Sequence, residues 1–486
     1  MNLYLGIDLG TSGVKILLVS SEGTVVDTVT EHYPVNYPSE NWTEQDPVLW
    51  WEQVYVGLKK VISRNNKNDI KGISFGGQMH GLVVLDENDD VIRPCILWND
   101  GRTEKEVEYL NVEIGEEKLI SLTSNIAFAG FTAPKILWLR KNEPENFEKI
   151  HKIMLPKDYL SYKLTGRFVT DYSDAAGTLL LDVKNKKWSS EMLDICNISI
   201  DQMPLLLESY EVVGNIKPDI ADELGLNADV KIIIGASDNA AAAIGTGTIG
   251  DGTCNISLGT SGTIFLPSTK YEYDDNKELH CFCHSDGNWH LMGCVLSAAN
   301  CRMWWLEDII GTDDYITDEI EMKNVSTKNL YFLPYLNGER SPYNDVNAKG
   351  AFIGLKSNTT RAEMSKAVLE GVAFALKDCL DVANKYGIFP KHSMLCGGGA
   401  RSDEWKQIIA DVFNMPIHSL QTEQGPGYGA AILAMVGCGE FSDLKVAINS
   451  LIVIKKTIYP IEENVKFYNE KHKNFKKIYP LLKNIF

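Results

Sequence analysis

The sequence predicts an α/β fold built in two halves, and three observations carry that expectation. The pentapeptide Leu-Gly-Thr-Ser-Gly occurs twice, at residues 9–13 and 258–262. In both halves short strand-like apolar runs alternate with stretches of helical periodicity, the pattern of helices layered on sheets. The chain's 486 residues exceed what one ordinary core holds, so two large domains are expected. We place them at residues 1–246 and 247–486, around a central cleft. No Pro/Ser-rich linker separates them, which points to a shared hinge.

The elements follow in order. Residues 3–8 and 14–19 flank the first pentapeptide as the arms of a β-hairpin. Helical periodicity covers 47–63, strand-like runs cover 70–75 and 82–85, and 116–165 reads as largely helical with breaks at Gly130 and Pro134. Lys231-Ile232-Ile233-Ile234 forms a buried strand that enters Gly235-Ala236-Ser237-Asp238, where an alanine-rich helix begins. The second half starts near Thr248 and repeats the theme. A hairpin surrounds Gly259, helices cover about 296–309 and 361–386, and a strand at 393–395 runs into Gly397-Gly398-Gly399 and a helix from Asp403 to Asn414. The lysine-rich segment from Lys455 to Lys483, interleaved with aromatic residues, reads as an amphipathic helix with a solvated face.

Composition excludes several classes. A net charge of −18 argues against non-specific nucleic-acid binding, which needs a basic face. No run of about 18 apolar residues offers a membrane span, and Met1 leads into the first strand with no signal-peptide pattern. The ten cysteines lie among apolar neighbours without framework spacing, as expected in a reducing cytoplasm. His280-Cys281-Phe282-Cys283-His284 lacks a second ligand pair nearby and reads as a structural strand rather than a metal site.

The hairpin turns carry the first chemical signal. Glycines bracketing two hydroxyl residues expose backbone N–H groups suited to a phosphate, so Thr11 and Ser12 in one copy and Thr260 in the other are candidate phosphate contacts. The first copy is preceded by Asp8, the second by Ser257. A carboxylate beside a phosphate loop repels it unless a divalent cation lies between, so Asp8 is the candidate Mg²⁺ residue; capping the turn is its competing role. Asp238, where a buried strand meets a helix, is the candidate general base, although Ser237 and Asp238 are also ordinary N-cap residues and local sequence leaves the two roles level. The turns at 397–402 and 425–429, with the two hairpins, suggest a nucleotide site. Gly76-Gly77-Gln78-Met79-His80-Gly81 and Trp98-Asn99-Asp100-Gly101-Arg102 mix polar tips with apolar surface, as a sugar pocket requires. Gly245 to Gly250 matches G-x-G-x-x-G but follows a helix and leads into a strand, the reverse of the dinucleotide-binding context. The P-loop pattern is absent.

These segments resemble a known family. Ile7-Asp8-Leu9-Gly10-Thr11-Ser12-Gly13-Val14-Lys15 resembles the opening of the FGGY carbohydrate kinases, of the actin and sugar-kinase superfamily. Residues 42–47, 77–81, 97–102, 131–135, 155–159, 173–178, 338–342 and 397–402 resemble the xylulose kinase branch, and about the last 40 residues show little to match. The resemblance implies two ribonuclease-H-like domains closing on a cleft, and ATP-dependent phosphorylation of D-xylulose at its terminal hydroxyl. A kinase for another ketose or polyol (ribulose, glycerol, gluconate) is the alternative. It implies Asp238 as base, which breaks the tie with capping. Asp8 would lie beside Mg²⁺ and the phosphates, and Met79, His80, Trp98 and Asn239 would contact the sugar. Thr260, Gly398, Gly399 and Asp403 would line the nucleotide site. The expected partners are D-xylulose and ATP, with no nucleic acid and no membrane, and a homodimer as the candidate assembly. Ser237 stands where the family usually has Gly, and Tyr343 where His is common.

Overall fold

The computed structural model describes residues 1–323 and 325–485. The chain divides into two compact units. The first comprises Met1–Ile249, Phe282–Trp289 and Gln424–Ile452; the second comprises Gly250–Cys281, His290–Glu423 and Val453–Phe486.

The first unit is built on a mixed sheet. Strands β1 (Leu3–Leu9), β2 (Gly13–Ser20) and β3 (Val25–His32) form an antiparallel meander. Next to β1 lies β4 (Ile70–Gly77) in parallel. Beyond β4 come β5 (Val212–Asn215) and β6 (Lys231–Ile233) in the order β5-β6-β4-β1-β2-β3, with β7 (Ala236–Ser237) extending the parallel pairing at the end of β4. The two-residue alternation of β1 sorts its side chains. Leu3, Leu5, Ile7 and Leu9 face a core with Trp50, Val54, Leu58 and Val61 of helix α1 (Pro47–Arg64). That helix starts where the sequence signals it. Asp46 caps it by accepting a hydrogen bond from the Val48 N–H at 2.9 Å, and Pro47 occupies the first position.

The opposite face of β1 presents Tyr4, Gly6 and Asp8, and there the helices come unusually close. Tyr4 packs with helices α2 (Asp238–Gly245) and α3 (Pro426–Cys438) through Ala240, Ala241, Ile244, Ala431 and Ile432. A Cβ on Gly6 would lie 1.9 Å from the Gly427 carbonyl oxygen, and one on Gly429 would lie 1.8 Å from that of Ala241. The glycines of the 425–429 segment that enter α3 are thus engaged in backbone packing, at least at Gly427 and Gly429.

The second unit repeats the strand plan. Its strands, apart from Phe282, Cys283 and Trp289, which belong to the first unit, are β8 (Thr253–Leu258), β9 (Gly262–Ser268), β10 (His280–Cys283), β11 (Trp289–Val295), β12 (His392–Cys396), β13 (Ile417–Leu420) and β14 (Ile454–Ile458), in the order β10-β11-β9-β8-β12-β13-β14. The pairs β8/β9, β8/β12, β12/β13 and β13/β14 have the same senses as β1/β2, β1/β4, β4/β6 and β6/β5. The duplicated hairpin therefore opens a duplicated sheet, the ribonuclease-H-like plan expected from the resemblance. Helix α4 (Arg361–Lys385) carries the capping box of Thr360 and Glu363, and Gly387 follows it at φ +82°.

Three local expectations are corrected. Pro134 does not break a helix: it lies in the first turn of Thr132–Asn142, where a missing N–H costs no intrahelical bond. The helical reading of 116–165 also contains a short strand, Lys152–Met154, paired with Val83–Leu85. The segment from Lys455 begins as β14, and only Glu462–Leu482 is helix, here α5. A β-edge strand with exposed lysines has a polar profile close to that of a solvated helix face. Helix α5 is well docked. Buried Glu370 of α4 accepts from the Tyr468 hydroxyl at 3.0 Å and pairs with Lys471, and His472 lies 2.7 Å from Asp378. Tyr343 packs on Tyr479 of α5 with ring centroids 4.5 Å apart, so this departure from the family pattern meets the C-terminal helix.

No helix among the described residues is long and apolar enough to cross a membrane. The Cys281 thiol donates to the Glu272 carbonyl and the Cys283 thiol to the Val183 carbonyl, in keeping with the structural reading of that strand.

Gly6→Ala should reach or exceed the upper end of the about 1–3 kcal/mol typical of overpacking, because the clashing atoms are backbone. Urea unfolding of the variant checks this, and an unchanged midpoint would contradict the close contact of α3 with β1.

Candidate functional site

In the first unit, the carboxyl ends of three parallel strands gather the predicted residues. In register, Asp8 of β1 is opposite Gly76 of β4, and Gly76 and Gly77 are opposite Ala236 and Ser237 of β7. Asp8 at the end of β1 and Asp238 at the start of α2 thereby become neighbours, and each feels a raised pKa. Burial first, and then repulsion from Asp238, lifts the Asp8 carboxyl to about 7 against a smaller opposing pull from Lys15. Burial lifts Asp238 to about 6, and the Asn239 N–H, which donates to its Oδ1 at 2.6 Å, holds it from rising further. Asp238 occupies the first turn without capping it in the usual way, and Ser237 at the N-cap makes no side-chain cap bond.

The first hairpin turn is pinned by its acceptors. The Gly10 carbonyl accepts from the Tyr33 hydroxyl at 2.6 Å, the Thr11 carbonyl from Gln45 Nε2 at 2.7 Å, and His32 Nδ1 lies 3.3 Å from the Ser12 carbonyl. The Thr11 hydroxyl donates to Gln78 Oε1 at 3.1 Å and accepts from the Trp98 indole at 3.0 Å. Among the described residues no hydrogen bond uses the N–H groups of Thr11 or Ser12, which suits an anion. Trp98, expected as a sugar face, is partly exposed and braces this turn.

Met79 lies beside Asn239, the residue after Asp238, and His80 gathers next to Met79 at Gly177. Asn239 Nδ2 contacts the Met79 sulfur at 3.7 Å, and a Cβ on Gly177 would lie 2.7 Å from His80 Nδ1 and 2.8 Å from Met79 Cε. His80 holds a left-handed φ of +69°, costly for a side chain with a Cβ. Surrounding bonds enforce it: the His80 carbonyl accepts from Thr132 Oγ1 at 3.1 Å and from Lys135 Nζ at 2.8 Å, while Nδ1 lies 2.6 Å from the Gly177 carbonyl. A carbonyl only accepts, so Nδ1 carries the proton, and in the neutral ring Nε2 is the acceptor. Lys135 is fully buried, and desolvation draws its pKa down to about 7.

Sequence reasoning assigned no role to Gln45, Thr132 or Lys135, nor to a buried group around Lys157, and it read Gln78 as a polar tip of the sugar pocket rather than as a partner of the hairpin turn. Lys157 Nζ lies 2.6 Å from Asp158, 2.8 Å from Asp171 and 3.4 Å from Asp174. Most of these sit inside the segments that carry the family resemblance. Buried Lys and Asp in such short motifs were the available signal.

The second unit holds a pocket of about 610 Å³ lined by Gly259 and Thr260 of its hairpin turn, by Gly398 and Gly399, and by Asn300, Arg302 and Tyr315. Gly397 at φ +90° brings its α-carbon against the Leu258 carbonyl, where a Cβ would lie 2.6 Å away, whereas a Cβ on Gly398 would meet open space. The pocket size suits a nucleoside. Asp403 is not among the lining residues. It starts the helix Asp403–Phe413, and its carboxylate pairs with Lys406 at 2.9 Å and Lys456 at 3.2 Å.

Residues 3–245 match the N-terminal domain, and residues 254–438 the C-terminal domain, of the FGGY family of carbohydrate kinases. A xylulose kinase of Staphylococcus xylosus is 38% identical over 483 residues, covering 99% of this chain and 100% of that protein. That alignment runs well into the C-terminal stretch left unmatched above. A xyloylose kinase from Brucella ovis superposes with a TM-score of 0.95 at 37% identity, covering 100% of both chains. A gluconate kinase from Lactobacillus acidophilus superposes with a TM-score of 0.95 at 29% identity, covering 99% of this chain and 98% of that one. With both family domains matched in order and relatives aligned along nearly its whole length, the chain belongs to the FGGY family of carbohydrate kinases.

Proposed function

We propose that this chain transfers the γ-phosphoryl group of ATP to the terminal hydroxyl of D-xylulose, yielding D-xylulose 5-phosphate and ADP. The observation that carries the reading is the adjacent pair Asp8 and Asp238, with carboxyls raised to about 7 and about 6. A base with a pKa near working pH combines the ionised form with useful proton affinity. Asp238 accepts the hydroxyl proton as the sugar oxygen attacks the γ-phosphorus in line and the bond to the bridging oxygen of ADP breaks. Met79, His80 and Asn239 orient the ketose, with His80 Nε2 as a hydroxyl-directed acceptor. The N–H groups of Thr11 and Ser12, and the turns at Thr260, Gly398 and Gly399, contact the phosphates and nucleotide. We assign the sugar and Mg–phosphate side to the N-terminal domain and the nucleotide side to the C-terminal one.

The residues present fit Mg²⁺. Asp8 is a carboxylate that burial and a second carboxylate make reluctant to ionise, and its cation neighbour Lys15 is itself engaged by Gln424. A hard cation favours such oxygen ligands together with phosphate oxygens. When bound, Mg²⁺ would supply neutralisation of phosphate charge, held on the protein side by Asp8. The relatives named xylulose kinases support the choice of sugar, while the gluconate kinase of equal TM-score supports the alternative that the fold serves other polyols. The lack of any disulfide among the ten cysteines of the described residues supports a cytoplasmic location.

Three outcomes are expected. Asp238→Asn should cut turnover by about 10²–10⁴ and remove an acid limb near pH 6. Because the folded pKa is raised, the ionised carboxylate costs stability above that pH, so the variant should melt no lower than the parent at pH 7. Retention of most turnover would return Asp238 to a structural role. Mg²⁺ binding to the enzyme near pH 7 should release a fraction of a proton from Asp8, read by isothermal titration in buffers of different ionisation heat. Asp8→Asn should abolish the buffer dependence, and its persistence would remove Asp8 from the metal. Finally, kcat/KM for D-xylulose should exceed that for D-ribulose, its C3 epimer, by at least about tenfold, since one unpaired buried polar group costs about 1–3 kcal/mol. His80→Ala should narrow the gap. Equal values for D-ribulose or glycerol in an ADP-coupled assay would reject xylulose while leaving the kinase intact.

A further inference from the structure

We propose that Ser173, anchored by Asp171 and Lys157, is a positioning residue for Asp238, acting through the backbone N–H of Ser237. The inference rests on the assignment of Asp238 as the general base and adds a buried chain of contacts behind it.

The chain runs in one direction because its donors and acceptors leave no alternative. Lys157 is fully buried and lies 2.8 Å from Asp171 Oδ1. The charge of a buried carboxylate survives only beside such a partner. Asp171 Oδ2 accepts three hydrogen bonds: from the Ser173 N–H at 2.9 Å, the Ser173 hydroxyl at 2.5 Å and the Ser209 hydroxyl at 2.7 Å. The single proton of the Ser173 hydroxyl is therefore committed to Asp171, which leaves Oγ to act only as an acceptor elsewhere. It accepts the Ser237 N–H at 3.1 Å. Ser237 is the N-cap residue of α2, and Asp238 is the next residue. All of Lys157, Asp171, Ser173, Ser209 and Ser237 are buried.

Geometry gives this bond leverage on the base. The peptide joining Ser237 to Asp238 sets the direction in which the carboxylate leaves the strand end. Its preceding N–H is tied to a side chain that an ion pair holds still. The β7 pairing to β4 covers only Ala236 and Ser237, so the strand itself supplies little fixation at this point. A serine at 237 in place of the family's usual glycine keeps the N–H that this arrangement uses.

Ser209 provides an internal control. It donates to the same oxygen of Asp171 but makes no bond to Ser237. Ser173→Ala should lower kcat for D-xylulose phosphorylation by about tenfold or more, as expected for a misplaced catalytic group, with KM for sugar and for MgATP within about twofold. Ser173→Cys, close in shape and with a weaker acceptor, should fall between the parent and Ser173→Ala. Ser209→Ala should leave kcat within about twofold. In an Asp238→Asn background, Ser173→Ala should change the residual rate little, because the group it positions is already gone. Equal losses in Ser173→Ala and Ser209→Ala would overturn the proposal, as would an undiminished effect in the Asp238→Asn background. Thermal unfolding of each variant identifies any that does not fold, and Ser173→Cys then carries the comparison. If Asp238→Asn itself keeps full turnover, the base assignment fails first and separately.

Discussion

The arrangement of the first unit depends on how closely two helices approach one face of its sheet. Gly6 and Gly429 put backbone against backbone where any side chain would collide, and Gly427 supplies the carbonyl that faces Gly6. Alanines fill the remaining contact between α2, α3 and the sheet. Dispersion contacts at that range are numerous and unforgiving of added volume. The consequence reaches the chemistry, because Asp8 lies on the same face of β1 as Tyr4 and Gly6, two residues further along. The depth of α3, where a Cβ on Gly427 would lie 3.4 Å from Asp8 Cβ, sets how much water the carboxylate keeps.

Electrostatics then takes over from packing. Two carboxylates at adjoining strand ends resist ionisation, Asp8 through burial and the nearby Asp238, and Asp238 through burial. Left alone this is a cost to folding at neutral pH, since the unfolded chain ionises both freely. The same reluctance places both groups near the working range of a proton acceptor and a cation ligand. Lys157 and its three aspartates show the other solution to buried charge, a cation surrounded by carboxylates, with burial holding the Asp174 carboxyl well above its usual range.

Much of this was legible before any coordinates. The hairpin arms, α1 from its periodicity over 47–63, the strand entering Ser237 and Asp238, and the repeat of the hairpin turn all follow from local rules that need only neighbours in sequence. Asp8, Met79, His80, Asp238 and Asn239 come together as strand ends do in α/β sheets. What escaped depends on partners far along the chain. The glycines at 427 and 429 read as ligand turns because nothing local says that Gly6 and Ala241 will press on them. Pro134 reads as a break because its position within the first turn depends on where the helix starts. Nothing local shows that the Trp98 indole also braces the first hairpin turn through Thr11. Asp403 shows only its place after a glycine turn, whereas its lysine partners at 406 and 456 come from its own helix and from β14.

The first unit is also discontinuous, and that matters during synthesis. Helix α3 covers the face of β1 that carries Tyr4, yet it leaves the ribosome only after most of the second unit, all but Val453–Phe486, has been made. Until then Tyr4, Leu17 and Val19 lack the helix that buries them. A nascent chain in that state presents an uncovered apolar sheet face, a surface that chaperones hold and that other chains aggregate on. A fragment ending with the N-terminal family region at residue 245 would carry the same exposed face permanently. The family boundary in the sequence is therefore a poor place to cut the protein, however naturally it divides the alignment.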